Sequence, residues 1–403
     1  MNLFVIAQFG QLIHNEALIK RDKLEKNKLI ILYTSANILV PEKIKNEVDS
    51  RLFSEIEMVE IPLSPNSIDI ENINVIFKTY KRILKGVDDL YISSFERHYN
   101  ILHEVALRKK IRTHLVEEGL GTYKFASNEF SFTPPSRKDS LVRALNKSGL
   151  SSNKYFPIIK SIRTWILDTL SLPKQLFKAL LEIKNSEFKN YKKLELFSDE
   201  RNGFLGYAKN FHSINLAYPE AVSNVFESKE SKILNTYSSY ESNVEITSLI
   251  TKYDIRESDS LYLSQVFQIT SVYYADAVIK IIKDELEKSE GRFFIKFHPK
   301  DKIVFIDKIK EKVLELGLSD RIIIISESDF PIEAIIKESK FERIIAISST
   351  ALVYAKQLSE STECVSITNT LISRLGSNCP VKTRKLMLEH TEMLSIFPHI
   401  EFK

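Results

Sequence analysis

Two short motifs, separated by roughly 180 residues, carry the residue types that group transfer needs. Glu117-Glu118-Gly119 follows the strand-like run Ile111–Val116, and His298-Pro299 follows Phe293–Phe297. Each motif stands where a strand should end and a loop begin, the edge at which open α/β sheets bind ligands. A carboxylate there can take a proton as a general base. An imidazole there can donate to a departing anion. Adjacent acids can divide the work, with one toward solvent and one in a cleft where burial raises its pKa. Gly119 and Gly121 would let backbone approach a ligand closely. The same acids also read as a solvated turn, and His298 as a cap or a surface histidine. The distance between the motifs predicts one from each of two domains, meeting across a cleft.

Weaker signals accompany them. Ser348-Ser349-Thr350 ends the run Arg343–Ile347 and precedes the helical pattern Ala351–Leu358. Hydroxyls and free N–H groups at a helix start bind anions, although the same residue types serve as plain N-caps. Lys296 and Lys300 flank His298, and with Pro299 shaping the turn they suit a phosphate. Glu333, in Phe330-Pro331-Ile332-Glu333, could accept from ribose hydroxyls or simply favour the positive end of a helix. Gln265 follows Leu261–Ser264 and is a candidate for the same edge. In the first half, Gln11 in Gln8-Phe9-Gly10-Gln11, then His14 and Asn15, and the pair Ser93-Ser94 stand at or just after strand ends as candidate acceptor contacts.

These residues need elements to position them. The first part alternates strand-like runs (Leu3–Gln8, Leu29–Tyr33, Ile56–Ile61, Asp89–Ser93, Arg112–Val116) with helical patterns (Gln11–Leu24, Pro41–Phe53, Ile70–Lys85, Phe95–Arg108). That alternation predicts βαβ units and a parallel sheet. Residues 139–227 change to helical periodicity in Leu141–Leu145, Ile158–Leu170 and Leu172–Ile183, with Pro157 and Pro173 at helix starts. They read as a helical insertion in a first domain spanning 1–235. Tyr237–Ser258 is polar and reads as a linker. Alternation then restarts through Leu261–Ser264, Val272–Lys288, Phe293–Phe297, Lys302–Leu316, Arg321–Ser326, Ile332–Glu338, Arg343–Ile347, Ala351–Leu358 and Cys364–Thr368. This predicts a second doubly wound domain over 236–403, with a helical tail from Val381 that could pack on either domain.

Bulk properties agree with a two-domain α/β protein. A chain of 403 residues exceeds what one core usually supports. Two cysteines, Cys364 and Cys379, make no disulfide framework and imply a reducing cytoplasm. No run approaches a membrane-spanning length, and Met1–Gly10 reads as a first strand and not as a signal peptide. The net charge of +4 conceals a basic stretch: Ser136–Leu194 holds 13 Lys/Arg against 4 Asp/Glu, a net of +9, which leaves the remainder near −5. Such a field attracts polyanions or anionic lipid. No GxxxxGK[ST], GxGxxG, His/Cys metal spacing or strand-end Asp-x-Asp is present. A metal-independent transferase without a bound cofactor fits these absences.

In order, spacing and strand-end context, Glu117-Glu118-Gly119, His298-Pro299 and Ser348-Ser349-Thr350 resemble the three motifs of bacterial sialyltransferases of GT-B architecture, most closely the capsule polysialyltransferases. The resemblance covers most of the chain, although three short motifs carry it. It implies two Rossmann-like domains, an N-terminal acceptor-binding one and a C-terminal one binding the donor CMP-sialic acid, and an inverting, metal-independent transfer. By that resemblance Glu118 or Glu117 deprotonates the acceptor hydroxyl. His298 donates to the leaving CMP phosphate, and Ser348, Ser349 and Thr350 bind it together with Gln265, Lys296, Pro299 and Glu333. A sialylated oligosaccharide or polysialic acid acceptor would then lie along Arg137, Lys138, Arg143, Lys147 and Lys154. Basic amphipathic helices also dock on anionic membranes, so the expected location is cytoplasmic, with peripheral contact at the inner membrane or a capsule export complex; no nucleic acid is expected. Three alternatives stand beside this reading: a lipooligosaccharide mono-sialyltransferase, a CDP-alcohol or teichoic-acid-type polymerase, and a non-enzymatic scaffold that binds polyanionic glycan.

Overall fold

The computed structural model describes residues 1–35, 38–62, 70–94, 97–123, 126, 211–226, 228–237, 244–327 and 332–403. These form two compact units. The first holds Met1–Glu117, residues 211–215 and Val225–Lys232. The second holds residues 118–123 and 126, Leu216–Asn224 and Ile233–Lys403. The chain therefore leaves the first unit directly after Glu117.

The first unit is built on β1 (Asn2–Ile6), β2 (Asn27–Tyr33), β3 (Glu55–Glu60), β4 (Asp89–Ile92), β5 (Arg112–Val116), β6 (Phe211–Leu216) and β7 (Ser228–Ile233), in the order β3-β2-β1-β4-β5-β6-β7. The pairs from β3 to β6 are parallel. Leu3–Ile6 and Leu29–Leu32 are buried because inner strands of a parallel sheet carry helices on both faces. The helices are α1 (Phe9–Asp22), α2 (Leu39–Glu47), α3 (Ile70–Ile83), α4 (Arg97–Arg108) and the short α5 (Leu120–Tyr123), which belongs to the second unit. A buried polar chain ties β4, β5 and β6 together. His114 Nε2 lies 2.9 Å from Asp89 Oδ1, and its Nδ1 lies 2.7 Å from Ser213 Oγ. Asn215 Nδ2 donates to the same Ser213 oxygen at 3.0 Å. Burial lowers the His114 pKa, and the facing Asp89 opposes the shift.

The second sheet contains β8 (Ser260–Leu263), β9 (Phe293–Lys296), β10 (Ile322–Ile325), β11 (Arg343–Ala346), β12 (Glu363–Ser366) and β13 (Ile400–Phe402), ordered β10-β9-β8-β11-β12-β13 and parallel throughout. Its helices are α6 (Val244–Tyr253), α7 (Ser271–Leu286), α8 (Ile303–Glu315), α9 (Ile332–Ser339), α10 (Thr350–Leu358), α11 (Thr368–Leu375) and α12 (Val381–Leu394). One core joins Phe293, Ile295, Ile345 and Val365 of the sheet to Val278, Ile282, Ile309 and Met387 of the helices. Both sheets reverse strand order between their first and fourth strands, the Rossmann pattern, whose ligand crevice lies at that reversal.

The α/β alternation expected from sequence matches the elements. Four differences have clear causes. Tyr237–Ser258 contains helix α6, where Ile246, Leu249, Ile250 and Tyr253 fall at helical spacing and Ile246 and Leu249 are buried. The expected insertion 139–227 lies outside the described residues up to 210, but its end contains β6, a buried six-residue strand. Strand β7 is largely exposed and polar, so it carries no apolar signal and is strand only through its place at the sheet edge. The tail does not end as a helix: after α12 it adds β13 beside β12, which places it in the second unit.

Gly291 leads into β9, and a side-chain carbon there would stand 1.8 Å from the Ser258 carbonyl oxygen. Gly291→Ala should therefore destabilise the second unit by about 1–3 kcal/mol, the usual range for overpacking. Urea unfolding followed by circular dichroism checks this; an unchanged midpoint would show that the backbone absorbs the methyl group.

Candidate active site

The strand ends of the second sheet align in one row. Lys296 pairs with Leu263, Leu263 with Ala346, and Ala346 with Ser366. His298, Gln265 and Ser348 each lie two residues beyond that row, on the same edge. At the β8/β11 reversal Gln265 grips Ser348 with both ends of its amide. Its Oε1 accepts the Ser348 N–H, and its Nε2 donates to Ser348 Oγ at 3.1 Å. Ser348 Oγ also lies 2.9 Å from His390 Nδ1 on α12. Ser349 caps α10, its hydroxyl accepting from Ala351 N–H at 3.2 Å, as Ser does at this position. Ser348 is buried, whereas Ser349 and Thr350 are half-buried.

The acid turn lies against this cap. Glu117 directly follows β5 with no exposed surface, and its N–H donates to the Asn215 carbonyl at 3.1 Å. Glu118 is half-buried, and its N–H donates to Thr122 Oγ1 at 2.9 Å, fixing the entry to α5. Gly119 sits at φ +118, where other residues are strained, and a side-chain carbon there would lie 3.5 Å from Thr350 Cγ2. At Gly121 such a carbon would stand 3.2 Å from Glu118 Oε2, so the glycine leaves room for the carboxylate. The adjacent segment is anchored by aromatic packing. Tyr123 OH accepts from Tyr218 N–H at 3.0 Å, Tyr218 OH donates to the Val353 carbonyl of α10 at 3.0 Å, and both rings pack edge-on against Phe397.

The His-Pro turn presents a defined tautomer. Asp301 N–H donates to the His298 carbonyl at 2.9 Å and closes the turn, with Pro299 at its second position. His298 N–H donates to Asp301 Oδ2 at 2.8 Å. Lys300 N–H donates to His298 Nδ1 at 3.0 Å, so the proton of the neutral ring sits on Nε2, which is a donor. Partial burial lowers the His298 pKa; Asp301 opposes the shift, while Lys300 and Lys296 add to it. Lys296 is buried at the end of β9, with Nζ donating to the Phe297 carbonyl at 3.2 Å. Glu333, in the first turn of α9, is buried, and that burial raises its pKa from 4.5 to about 6.

In the first unit, Gln11, His14, Asn15, Ser93 and Ser94 gather at the β1/β4 reversal and are all buried. Gln11 Oε1 accepts from the N–H groups of Ala7 at 2.7 Å and Gln8 at 3.2 Å. Asn15 Nδ2 donates to the Gln11 carbonyl at 2.7 Å and to Ser93 Oγ at 3.1 Å. Burial pushes the His14 pKa down to about 3, so its ring is neutral. Arg137, Lys138, Arg143, Lys147 and Lys154, together with Phe330 and Pro331, lie outside the described residues. Among the described residues, no group of three or more His, Cys, Asp or Glu side chains could hold a metal ion, and no helix is long and apolar enough to cross a membrane.

Residues 2–368 match the family model for alpha-2,8-polysialyltransferase (POLYST). The chain belongs to the alpha-2,8-polysialyltransferase family. It is thus a glycosyltransferase, a sialyltransferase by family, with a sialic acid donor and a glycan acceptor. Comparison with curated proteins gives no match. Among solved structures the polysialyltransferase chain is similar to UGT73P12 of Glycyrrhiza uralensis complexed with glycyrrhetinic acid 3-O-monoglucuronide, at 12% identity and TM-score 0.52, covering 100% of this chain and 81% of that one. The similarity extends to UDP-GlcNAc 2-epimerase from Neisseria meningitidis bound to UDP-GlcNAc, at 11% identity and TM-score 0.46, covering 98% and 92%. With the two sheets described above, the first of these likenesses shows the two-domain GT-B fold.

Sequence reasoning missed three residues of this candidate site. Thr122 and Asp301 sit near the motifs and bond their backbones, so local turn chemistry could have suggested them. His390 stands 42 residues from its partner Ser348, and no local signal marks it. Glu333 supplies a pH prediction. Its carboxyl is protonated in both folded and unfolded states below pH 4.5; above that the unfolded chain ionises first, so the folded state loses stability as pH rises through about 6. The gap between 4.5 and about 6 corresponds to about 2 kcal/mol. Glu333→Gln should therefore exceed the wild type in stability by about that amount at about pH 7.5 and by little at about pH 4. Urea unfolding at both pH values tests it; equal stability at the higher pH would place the ionised carboxylate in a favourable environment.

Proposed function

We propose that this enzyme is an inverting, metal-independent polysialyltransferase that transfers sialic acid from CMP-sialic acid to the non-reducing end of a sialylated acceptor and extends capsular polysialic acid. The observation that carries the reading is the packing of the Glu118-Gly119 turn on Thr350 within one unit. It brings the turn that carries the half-buried Glu118 against the helix start where a leaving phosphate would be held.

In this reading Glu118 is the base and takes the proton of the acceptor hydroxyl. The hydroxyl oxygen attacks the anomeric carbon as the bond from that carbon to the CMP phosphate breaks. One displacement inverts the centre. His298 Nε2–H donates to a phosphate oxygen as negative charge builds on CMP, a donation that the neutral ring makes without proton transfer. Ser349, Thr350 and Lys296 complete the phosphate site, with Gln265 and Ser348 as its scaffold and Glu333 toward the ribose. Full burial of Glu117 favours Glu118 for the proton transfer. The acceptor is assigned to the first unit, where Gln11, His14, Asn15, Ser93 and Ser94 form the floor of the β1/β4 reversal, and to the basic residues Arg137, Lys138, Arg143, Lys147 and Lys154. A cytoplasmic enzyme at the inner face of the membrane fits that basic stretch.

Incubation with CMP-sialic acid and a fluorescent sialylated oligosaccharide, with chelator present, should give a ladder of products. A single addition would instead indicate a mono-sialyltransferase, and intact CMP-sialic acid would overturn the donor assignment. Under the same conditions Glu118→Gln should lower kcat by about 10²-fold or more, the usual contribution of a general base, and Glu117→Gln by much less. A Glu118→Gln rate near wild type would remove Glu118 from the proton transfer.

A further inference from the structure

His390 belongs to none of the three motifs, yet it makes the third hydrogen bond to Ser348. Because Gln265 Oε1 takes the Ser348 N–H, the amide NH₂ of Gln265 must face Ser348 Oγ and donate to it. Ser348 Oγ then has one lone pair and its own proton left, and His390 Nδ1 at 2.9 Å engages one of the two: it accepts the hydroxyl proton when the ring proton is on Nε2, and donates to the lone pair when it is on Nδ1. The imidazole itself is held: it is half-buried on α12, beside the Phe267 ring at 6.1 Å between centroids. Its helix is fixed by Met387, wholly buried in the core of the second unit, and by Thr383 Oγ1, which donates to the Gln268 carbonyl at 3.0 Å. Ser348 is therefore clamped from β8 by Gln265 and from the C-terminal helix by His390. The two residues that follow it start α10.

We infer that His390 is a positioning residue for donor binding: it fixes the Ser348 side chain, and through it the Ser348–Thr350 turn that takes the phosphate of a cytidine monophosphate sugar. This rests on the reading of that turn as the CMP-phosphate site. His390 acts through Ser348 and touches no reacting atom. Removing it frees the Ser348 hydroxyl to rotate and loosens the turn. Nucleotide affinity and donor KM then suffer more than kcat does.

The test is calorimetric CMP binding and donor kinetics for wild type, His390→Ala, His390→Asn and Ser348→Ala, and for the double variant. The Asn amide reaches the position of Nδ1 and can restore the bond. His390→Ala should weaken CMP binding roughly three- to tenfold, the weight of one hydrogen bond, with a similar rise in donor KM and a smaller change in kcat. His390→Asn should recover most of the loss. In the Ser348→Ala background His390→Ala should cost nothing further, because the two act as one unit. If His390→Ala does not fold, His390→Gln takes its place, since its amide lies one atom beyond the Nδ1 position. Wild-type affinity in the variant, or an undiminished cost in the Ser348→Ala background, overturns the inference alone. Failure of the wild type to bind CMP overturns the phosphate-site reading, and the inference with it.

Discussion

Parallel pairing in the second sheet is the constraint on which the site depends. In a parallel sheet every strand points the same way, so all carboxyl ends open on one edge. The register then decides height. Lys296, Leu263 and Ala346 stand level across β9, β8 and β11, and this brings His298, Gln265 and Ser348 to the same edge from positions far apart in sequence. Strand order adds the remaining condition. At a reversal such as β8/β11 the connecting helices go to opposite faces of the sheet, the place where doubly wound sheets bind ligands, and there Gln265 bonds Ser348.

Helix α10 is the second organiser. Its first residue, Thr350, faces the Glu118-Gly119 turn, and its later residues hold the chain that returns near that turn. Val353 accepts from Tyr218 OH at 3.0 Å, and the Ala217 carbonyl accepts from Gln357 Nε2 at 3.0 Å. Tyr123, Tyr218 and Phe397 pack together beside these bonds. Aromatic pairs of this geometry are worth about 0.5–1.5 kcal/mol each beyond burial, enough to bias a short turn to one place. The Glu118-Gly119 turn is thus held by packing of the second unit, although its sequence neighbour, Glu117, directly follows a strand of the first.

Protonation follows from the same local geometry. A single backbone bond from Lys300 leaves the proton of the neutral His298 ring on Nε2, and partial burial lowers the ring's pKa, which favours that neutral form. Burial does the opposite for an acid, as at Glu333. Each effect penalises the charged form, so its sign depends on whether the group is a base or an acid.

Much of this polysialyltransferase fold was legible in the sequence, because apolar runs and helical periods are local: β5 falls on Arg112–Val116 as expected, and the elements from β8 to β12 differ from expectation by a residue or two at their ends. The three motifs were legible for the same reason, since each is a strand end followed by a turn. What the sequence could not determine depends on contacts between distant residues. Strand β7 has no apolar pattern of its own, and β13 is three residues long; both exist through the sheet edge they join. Two adjacent glutamates look alike in sequence, and only the fold buries Glu117 and leaves Glu118 accessible. Nothing near His390 announces its bond to Ser348, which packing of the C-terminal helix brings about. Residue type and local period determined which chemistry was available; the tertiary structure decided which atoms meet, because a hydrogen bond requires about 3 Å in space and no particular separation along the chain.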